Sequence, residues 1–320
     1  MNPQDQQANQ SDKKVVRVDF NNGYAIRGAF PNADVLQAIH HARTENSQPP
    51  GFPLVIADPP YGNIVDEDWD RIETNDRKFC EWMIHWTMVL VPMLREGGAL
   101  YVWGGVGKPN FRPFYRYVVE VEDRTRLTLA NHITWSKKRA YGVQNNYLFT
   151  REELAYFILG DPKKPATFHI PLLETKRGYA GYNEKYPAKS EFFRRTNVWM
   201  DTTEIFSGKV HPTEKPARVM EIPIEVHTDP VSTSIDPAAP GDRNSWVLDP
   251  FAGSGTTALA AIKLGRKFIV VERDPKIFDE MVARIEKAEK GVLPDDAHRT
   301  AENLPVSSDS NENDSQGEAS

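Results

Sequence analysis

Short apolar runs alternate with longer segments of helical periodicity along most of this chain. The runs are bounded by Gly, Pro and Asp, which is typical of strands buried on both faces of a sheet. Strands are therefore predicted at residues 54–57, 99–103, 132–135, 247–248 and 268–271. Apolar residues at helical spacing predict helices at residues 78–94, 217–226, 256–264 and 275–290. This alternation predicts an α/β fold with a doubly wound, mostly parallel sheet.

The two ends of the chain and one internal segment depart from this alternation. Residues 1–14 and 292–320 are rich in Gln, Asn, Ser and acidic residues, with too little apolar surface to offset the entropy of ordering, which predicts disordered tails. Residues 161–205 are rich in basic and aromatic side chains with weak periodicity, and we interpret them as an insertion. The insertion would divide one α/β domain into halves at residues 15–160 and 206–291.

Charge is distributed unevenly along the chain. The formal net charge is −6, and residues 295–320 carry seven acidic residues and one Arg, so the rest of the chain is neutral overall. Residues 108–200 hold 17 Lys and Arg against 9 acidic residues. Such a basic stretch is either the footprint of a polyanion or a solvated basic face.

Two further features of the sequence bear on the cellular compartment of the protein and on whether it binds a metal. Cys80 is the single cysteine, which excludes an intramolecular disulfide and a zinc site built from several thiolates, so no metal is expected. No apolar run approaches the roughly 20 residues that cross a bilayer. We therefore expect a cytoplasmic protein with no membrane partner.

The segment Val-Leu-Asp-Pro-Phe-Ala-Gly-Ser-Gly-Thr-Thr at 247–257 predicts a buried strand, a turn of small residues and the start of a helix. Glycines let a ligand approach the backbone, and the amides at a helix N-terminus favour a carboxylate or a phosphate. Glu272 follows the next predicted strand, where an acid can accept hydrogen bonds from a ribose. The glycine spacing matches neither dinucleotide nor triphosphate loops. An adenosine-bearing cofactor without a pyrophosphate is favoured, and a simple tight turn is the alternative.

A second motif, Asp-Pro-Pro-Tyr-Gly at 58–62, directly follows the predicted strand 54–57. Two prolines stiffen the segment and remove two backbone donors, so the loop presents a carboxylate, carbonyl oxygens and an aromatic ring. A carboxylate and a carbonyl together can accept both hydrogens of an exocyclic amine while the ring stacks on the attached base. A plain turn is the alternative interpretation.

At these motifs the chain resembles the amino-group DNA methyltransferases, which methylate N6 of adenine or N4 of cytosine. Residues 58–61 match that family's catalytic tetrapeptide, residues 249–257 its cofactor loop, and His-Pro-Thr-Glu-Lys-Pro at 211–216 a third signature. The tetrapeptide precedes the cofactor loop, an order similar to the β subgroup. The resemblance covers about residues 25–290 and implies a Rossmann-like methyltransferase fold with a permuted motif order.

The resemblance implies S-adenosylmethionine as the cofactor and assigns residues to it. Asp34 would contact the cofactor adenine, and Glu272 would hold its ribose. Thr213 and Lys215 would reach its carboxylate. The remaining matched positions around the cofactor are Asp58, Asp249, Phe251, Gly253, Gly255, Thr256 and Thr257.

The resemblance also implies a mechanism and a target. Asp58 and the Pro59 carbonyl would accept the two amine hydrogens, Pro60 would stiffen the loop, and Tyr61 would stack on the base. A base inside a duplex has to be flipped out to reach them. Asp at the first tetrapeptide position is usual in the adenine enzymes, which favours N6 of adenine over the alternative, N4 of cytosine.

The insertion would then be the target-recognition region, with double-stranded DNA as the partner. Its basic residues would neutralise phosphates. Those expected to bind DNA are Lys176, Arg177, Lys185, Arg194 and Arg195. A methyltransferase acting on RNA or protein and a catalytically silent DNA-binding relative are the alternatives from other classes, and the intact tetrapeptide argues against the silent relative. A second copy of the chain, forming a homodimer, and a restriction endonuclease are further possible partners.

Overall fold

A computed structural model gives the structure of the protein. It describes residues 15–45, 51–61, 75–105, 107–141, 145, 147–176, 190–202, 214–231 and 244–292. The predicted tails therefore lie outside the described residues, apart from residue 292 at the start of the second one.

The described residues form two sheets. The strands, in chain order, are β1 (Val16–Phe20), β2 (Gly23–Arg27), β3 (Phe52–Ala57), β4 (Leu94–Gly104), β5 (Leu127–Tyr141), β6 (Phe149–Leu159), β7 (Leu172–Lys176), β8 (Phe192–Arg194), β9 (Val198–Trp199), β10 (Trp246–Asp249) and β11 (Lys267–Glu272). The large sheet has the order β1-β2-β11-β10-β3-β4-β6-β5-β9, and β7 pairs with β8. Strands β2, β11, β10, β3 and β4 are parallel, whereas β1 and β6 run antiparallel to their neighbours.

Helices cover both faces of the large sheet. In chain order they are α1 (Ala33–Thr44), α2 (Asp76–Leu90), α3 (Gly107–Arg124), α4 (Ala217–His227), α5 (Thr256–Lys263) and α6 (Pro275–Glu289). Apolar side chains of α1, α2 and α3 share one core with one face of the sheet, and those of α4, α5 and α6 share a second core with the other face. None of the described helices has both the length and the apolar character needed to cross a bilayer.

The expected doubly wound α/β fold is confirmed, and every predicted strand and helix is present. Strands β3 and β10 are buried along their whole length, as their uninterrupted apolar runs predict. Elements outside the predictions include the β1–β2 hairpin, α1, α3 and β6. Helix α3 contains Pro113 and begins at a glycine, so its local sequence opposes a helix that tertiary packing supports.

The order of the strands places a crevice at their carboxyl ends. From β3 the chain crosses through α2 to β4 on one side, whereas from β10 it crosses through α5 to β11 on the other side. Strands β3 and β10 are paired neighbours, with Leu54 opposite Val247 and Val55 opposite Leu248. Their connections therefore separate at this point, and open α/β sheets bind ligands where connections separate in this way.

The predicted insertion is connected to the main sheet at both of its ends. Strand β9 pairs in parallel with β5, so residues 198–199 are part of the large sheet. Near the start of the insertion, the Thr167 carbonyl lies 2.9 Å from Nδ1 of His227, and Nε2 of that ring lies 3.1 Å from the Tyr101 hydroxyl. A carbonyl only accepts, so Nδ1 carries the proton and Nε2 accepts from Tyr101. Burial lowers the pKa of His227 to about 4, which keeps this anchor neutral.

Candidate functional site

The two sequence motifs meet at one cavity at the carboxyl ends of the parallel strands. Residues 58–61, after β3, form one wall, and residues 249–254, after β10, form another. The segment 28–30, after β2, and Glu272, at the end of β11, complete this edge. Four strand ends separated in the sequence thus contribute to one site.

The loop after β10 is shaped by the buried carboxyl group of Asp249. One of its oxygens accepts a hydrogen bond from the Phe251 amide at 2.9 Å, and the other accepts from the Thr257 hydroxyl at 2.6 Å. Gly255 has a φ of +84° at the N-cap of α5, a conformation that favours glycine. Asp249 and Thr257 therefore hold the loop closed across the turn, while both also line the cavity.

Glu272 ties the same loop to the end of β11. Its carboxylate accepts hydrogen bonds from the Gly253 amide at 2.9 Å and from the Asp274 amide at 2.7 Å. The surrounding protein raises the pKa of Glu272 because burial disfavours its charge, and the backbone donors only partly offset this. A Cβ atom placed on Gly253 would meet nothing within 4 Å, so the backbone of the loop is open towards the cavity at this point.

Aromatic rings form the apolar wall of the cavity on the side of α2. The Phe251 ring lies 5.2 Å from Trp86 and 6.1 Å from Trp82 between centroids, and Phe30 packs edge-on against it at 6.0 Å. Trp82 and Phe30 also line the cavity. The cavity therefore combines carboxylates, open backbone and a flat apolar surface.

The loop after β3 holds its aromatic ring in a fixed position. Tyr61 is buried, and its hydroxyl donates to Oδ1 of Asp58 at 2.7 Å. Its carbonyl oxygen accepts a hydrogen bond of 3.0 Å from the side chain of Asn110, at the start of α3. The carboxylate of Asp58 is partly exposed at the cavity, so it is accessible to a ligand.

Lys215 lies beside the loop that follows β3. Its Nζ is 2.5 Å from Oδ2 of Asp58, 2.7 Å from the Tyr61 hydroxyl oxygen and 3.4 Å from Oε2 of Glu152. Burial alone would lower the pKa of Lys215, but the two carboxylates outweigh it and the pKa is raised. The sequence analysis assigned Lys215 to the cofactor carboxylate. The structure places Lys215 in the lining of the cavity and pairs its Nζ with Asp58.

Glu152 is a site residue that the sequence analysis missed. It lies on β6, is buried, and forms ion pairs with Lys215 and Lys137. Burial would raise its pKa, but the two lysines hold the pKa at about 2. Two adjacent acids, Glu152 and Glu153, directly before the apolar run of β6 are the signal that marks it, since buried carboxylates need partners.

Some of the other residues assigned to the cofactor line the cavity, and some do not. Phe251, Gly253, Thr256 and Thr257 line the cavity together with Asp249 and Glu272. Gly255 shapes the turn, and a Cβ atom there would lie 2.7 Å from Cγ of Met281. Asp34 is exposed in the first turn of α1 and is absent from the described cavity lining, to which residues 28–30 contribute instead. Thr213 lies outside the described residues.

The residues expected to bind DNA fall into three groups. Lys176 and Arg194 are exposed at the ends of β7 and β8. Arg195 is buried, with 4% of its side chain exposed and an ion pair to Asp201, so its expected role at the DNA surface is corrected to a structural one. Arg177 and Lys185 lie outside the described residues.

The sequence profile of the N6/N4 DNA methylases matches residues 52–283, which is more than two thirds of the chain. The chain belongs to this family. S-adenosylmethionine, the predicted cofactor, is the methyl donor of these enzymes. The resemblance inferred from three motifs is thereby confirmed.

Two relatives are type II methyltransferases. The chain is 26% identical over 261 residues to M.BamHI of Bacillus amyloliquefaciens, which covers 78% of this chain and 55% of the relative. It is 25% identical over 272 residues to M2.LlaDCHI of Lactococcus lactis subsp. cremoris, which covers 80% of this chain and 90% of the relative. The chain thus spans just over half the length of M.BamHI.

A solved structure supports the fold. The PvuII DNA methyltransferase, described as cytosine-N4-specific, superposes with a TM-score of 0.55 at 17% identity. The likeness covers 85% of this chain and 93% of that one. At this level of identity the similarity shows a shared methyltransferase fold.

The buried Asp249 carboxyl predicts a dependence of stability on pH. Burial raises its pKa from 3.8 to about 7, so the folded carboxyl binds its proton more tightly than the unfolded one. Its contribution to the free energy of unfolding is complete below pH 3.8 and is lost as the pH rises through about 7. Asp249→Asn resembles the protonated form and should remove this loss. Urea unfolding of both proteins between about pH 5 and 8 measures this effect. The free energy of unfolding of the variant should increase relative to that of the wild type as the pH rises. A difference between the two free energies that does not change with pH would contradict the assignment.

Proposed function

We propose that this protein transfers a methyl group from S-adenosylmethionine to N6 of a flipped adenine in duplex DNA. The observation that carries the proposal is the shared cavity, in which the Asp58 carboxylate and the Gly253 backbone line one space. Family membership supplies the reaction class.

The groups around the cavity fit the cofactor. Glu272 would accept hydrogen bonds from ribose hydroxyls, the aromatic wall at Phe251 and Phe30 would pack against the adenine, and the open backbone at Gly253 would allow close approach. Thr256 and the first amides of α5 are suited to a carboxylate. When bound, S-adenosylmethionine supplies an electrophilic methyl group on a sulfonium.

Asp58 would act directly on the target amine. An aromatic amine is a poor nucleophile because its lone pair is conjugated into the ring. Asp58 and the Pro59 carbonyl would accept the two amine hydrogens, favour a tetrahedral nitrogen and hold it for in-line attack, and such positioning can contribute several kcal/mol. The negative charge of Asp58 also stabilises the positive charge that develops on the amine nitrogen.

No covalent enzyme intermediate is needed for this chemistry. Cys80 is buried in α2, and burial together with Glu120 raises the pKa of its thiol to about 11. A thiol in such surroundings is a poor nucleophile. Tyr61, whose hydroxyl contacts Asp58 and Lys215, would stack on the flipped base.

Asp at position 58 supports adenine as the target. The exocyclic amines of adenine and cytosine both present two hydrogens, so Asp58 and Pro59 can serve either base. The preference rests on the resemblance of the tetrapeptide to that of the adenine enzymes. N4 of cytosine is therefore the alternative outcome of the experiment.

The first test of the proposed function concerns the product. DNA from a host without its own methylases, expressing this protein, should contain N6-methyladenine when digested to nucleosides and separated by mass spectrometry, and long-read sequencing should locate the modified site. Asp58→Ala should abolish the modification while S-adenosylmethionine binding stays within about tenfold, because the carboxylate acts chiefly on the amine. N4-methylcytosine as the sole product would overturn the choice of base, and activity of Asp58→Ala near wild type would overturn the catalytic assignment.

The second test of the proposed function concerns the cofactor. Glu272→Ala should weaken S-adenosylmethionine binding by about 1 to 3 kcal/mol, because a charge-assisted acceptor is lost. Titration calorimetry measures the change. Glu289→Gln is the control, since Glu289, the last residue of α6, accepts from the Asn22 amide and is not among the described residues that line the cavity. Equal affinities for wild type and Glu272→Ala would refute the role.

The third test of the proposed function distinguishes the roles of two neighbouring arginines of the insertion, Arg194 and Arg195. Replacing Lys176 and Arg194 by Gln should weaken duplex binding and reduce its salt dependence, because exposed cations can neutralise phosphates. Arg195→Gln should instead lower the free energy of unfolding, since it leaves Asp201 without its partner. Fluorescence anisotropy between about 50 and 300 mM salt, with urea unfolding of each variant, tests both. A salt slope unchanged by the Lys176 and Arg194 replacements would exclude this surface.

A further inference from the structure

The buried carboxylate of Glu152 contacts the same two groups that hold Asp58. Its Oε2 lies 3.3 Å from the Tyr61 hydroxyl oxygen and 3.4 Å from Nζ of Lys215. The side chain of Glu152 is 7% exposed, and the Tyr61 hydroxyl contacts both this carboxylate and that of Asp58. The mechanism proposed above uses Asp58 and leaves this second carboxylate without a role.

The Tyr61 hydroxyl can serve only one of the two carboxylates at a time. Burial, with Asp58 and Glu152 nearby, raises the pKa of Tyr61 well above its ordinary value, so the hydroxyl keeps its single hydrogen. Lys215 can only donate, so the Tyr61 oxygen accepts from Nζ at 2.7 Å. The hydrogen of Tyr61 then points either to Asp58, at 2.7 Å, or to Glu152, at 3.3 Å.

Both oxygens of Asp58 already accept a hydrogen bond before a base arrives. Oδ1 accepts from Tyr61, and Oδ2 accepts from Lys215. Each such bond draws on the negative charge and the lone pairs that the amine hydrogens would need. Releasing the bond from Tyr61 at the moment of binding would make Oδ1 of Asp58 a stronger acceptor for the amine hydrogen.

We propose that Glu152 is a positioning residue for methyl transfer, the alternative acceptor to which the Tyr61 hydroxyl turns when the target amine binds Asp58. The role rests on the proposed function. Glu152 acts through Tyr61, because it is buried, contacts the Tyr61 hydroxyl and does not line the described part of the cavity.

Lys137 keeps the alternative acceptor charged. It forms an ion pair with the other oxygen, Oε1, of Glu152 and is the more exposed member of the pair. This leaves Oε2 directed at Tyr61 and Lys215. Because the two lysines hold the pKa of Glu152 at about 2, an anionic acceptor is present throughout the neutral range.

The test is a single-turnover measurement of methyl transfer by Glu152→Gln. The substrate is a duplex oligonucleotide carrying the site located by sequencing, with radiolabelled S-adenosylmethionine. We expect the rate to fall between tenfold and a hundredfold, while the dissociation constants for DNA and cofactor stay within threefold. Glu153→Gln is the matched control, since Glu153 is also buried but faces the opposite side of the sheet, where it contacts Arg151 and Thr134. Its rate should stay within threefold of wild type.

A double-mutant cycle with Tyr61→Phe separates positioning from a purely structural role. The Tyr61→Phe side chain keeps the ring and has no hydroxyl hydrogen to redirect. The factor by which Glu152→Gln lowers the rate should therefore be at least fivefold smaller in the Tyr61→Phe background than in the wild type. Equal losses in both backgrounds would overturn the proposal, as would a Glu152→Gln rate within threefold of wild type.

Folding and function are controlled in the same experiment. Thermal unfolding and cofactor binding show whether Glu152→Gln is folded, and if it is not, Glu152→Asp keeps the charge and withdraws the acceptor by one methylene. That variant should show the same loss of rate, and unchanged transfer would overturn the proposal. A wild type that methylates no DNA would refute the proposed function and this role together, whereas an active wild type with an unaffected variant refutes the role of Glu152 alone.

Discussion

The parallel pairing of β3 with β10 is the constraint on which the rest of the site depends. Leu54 and Val55 lie opposite Val247 and Leu248, and the crossovers that follow the two strands leave in opposite directions. Helix α2 and helix α5 therefore cover opposite faces and leave the carboxyl ends of both strands uncovered. A stiff carboxylate loop and a glycine-containing loop, about 190 residues apart in sequence, face each other across that opening.

The two walls of the cavity are stabilised by different interactions. On the β10 side, the carboxyl groups of Asp249 and Glu272 accept backbone amide hydrogens, and burial raises the pKa of both. On the β3 side, carboxylates and lysines form a compact cluster, in which two positive charges compensate two negative ones. Removing one member of such a cluster leaves an uncompensated buried charge, which is costly. The β3 wall is thus held by charge pairing and the β10 wall by hydrogen bonds to the loop.

The segment around β8 shows how neighbouring residues of one type acquire different environments. Arg194 is exposed at the end of β8, whereas Arg195 is enclosed and paired with Asp201. The alternation of side chains along an extended segment separates them, since successive residues point in opposite directions. Lysine and arginine content alone therefore overestimates the number of cations that a polyanion could contact.

The sequence by itself determined the fold class, the position of the two chemical loops and the family. Uninterrupted apolar runs at β3 and β10 predict buried parallel strands because such strands are covered on both faces, and the residues that follow them must lie at one edge of the sheet. Only the tertiary structure decided that Lys215 pairs with Asp58, that Glu152 contacts the Tyr61 hydroxyl, and that Asp34 lies outside the described cavity lining. These facts depend on where long-range segments meet: β6 reaches the site by pairing antiparallel with β4, a contact that local periodicity does not encode. Charged side chains are then assigned by distance and burial, since a buried ion takes the partner that compensates its desolvation.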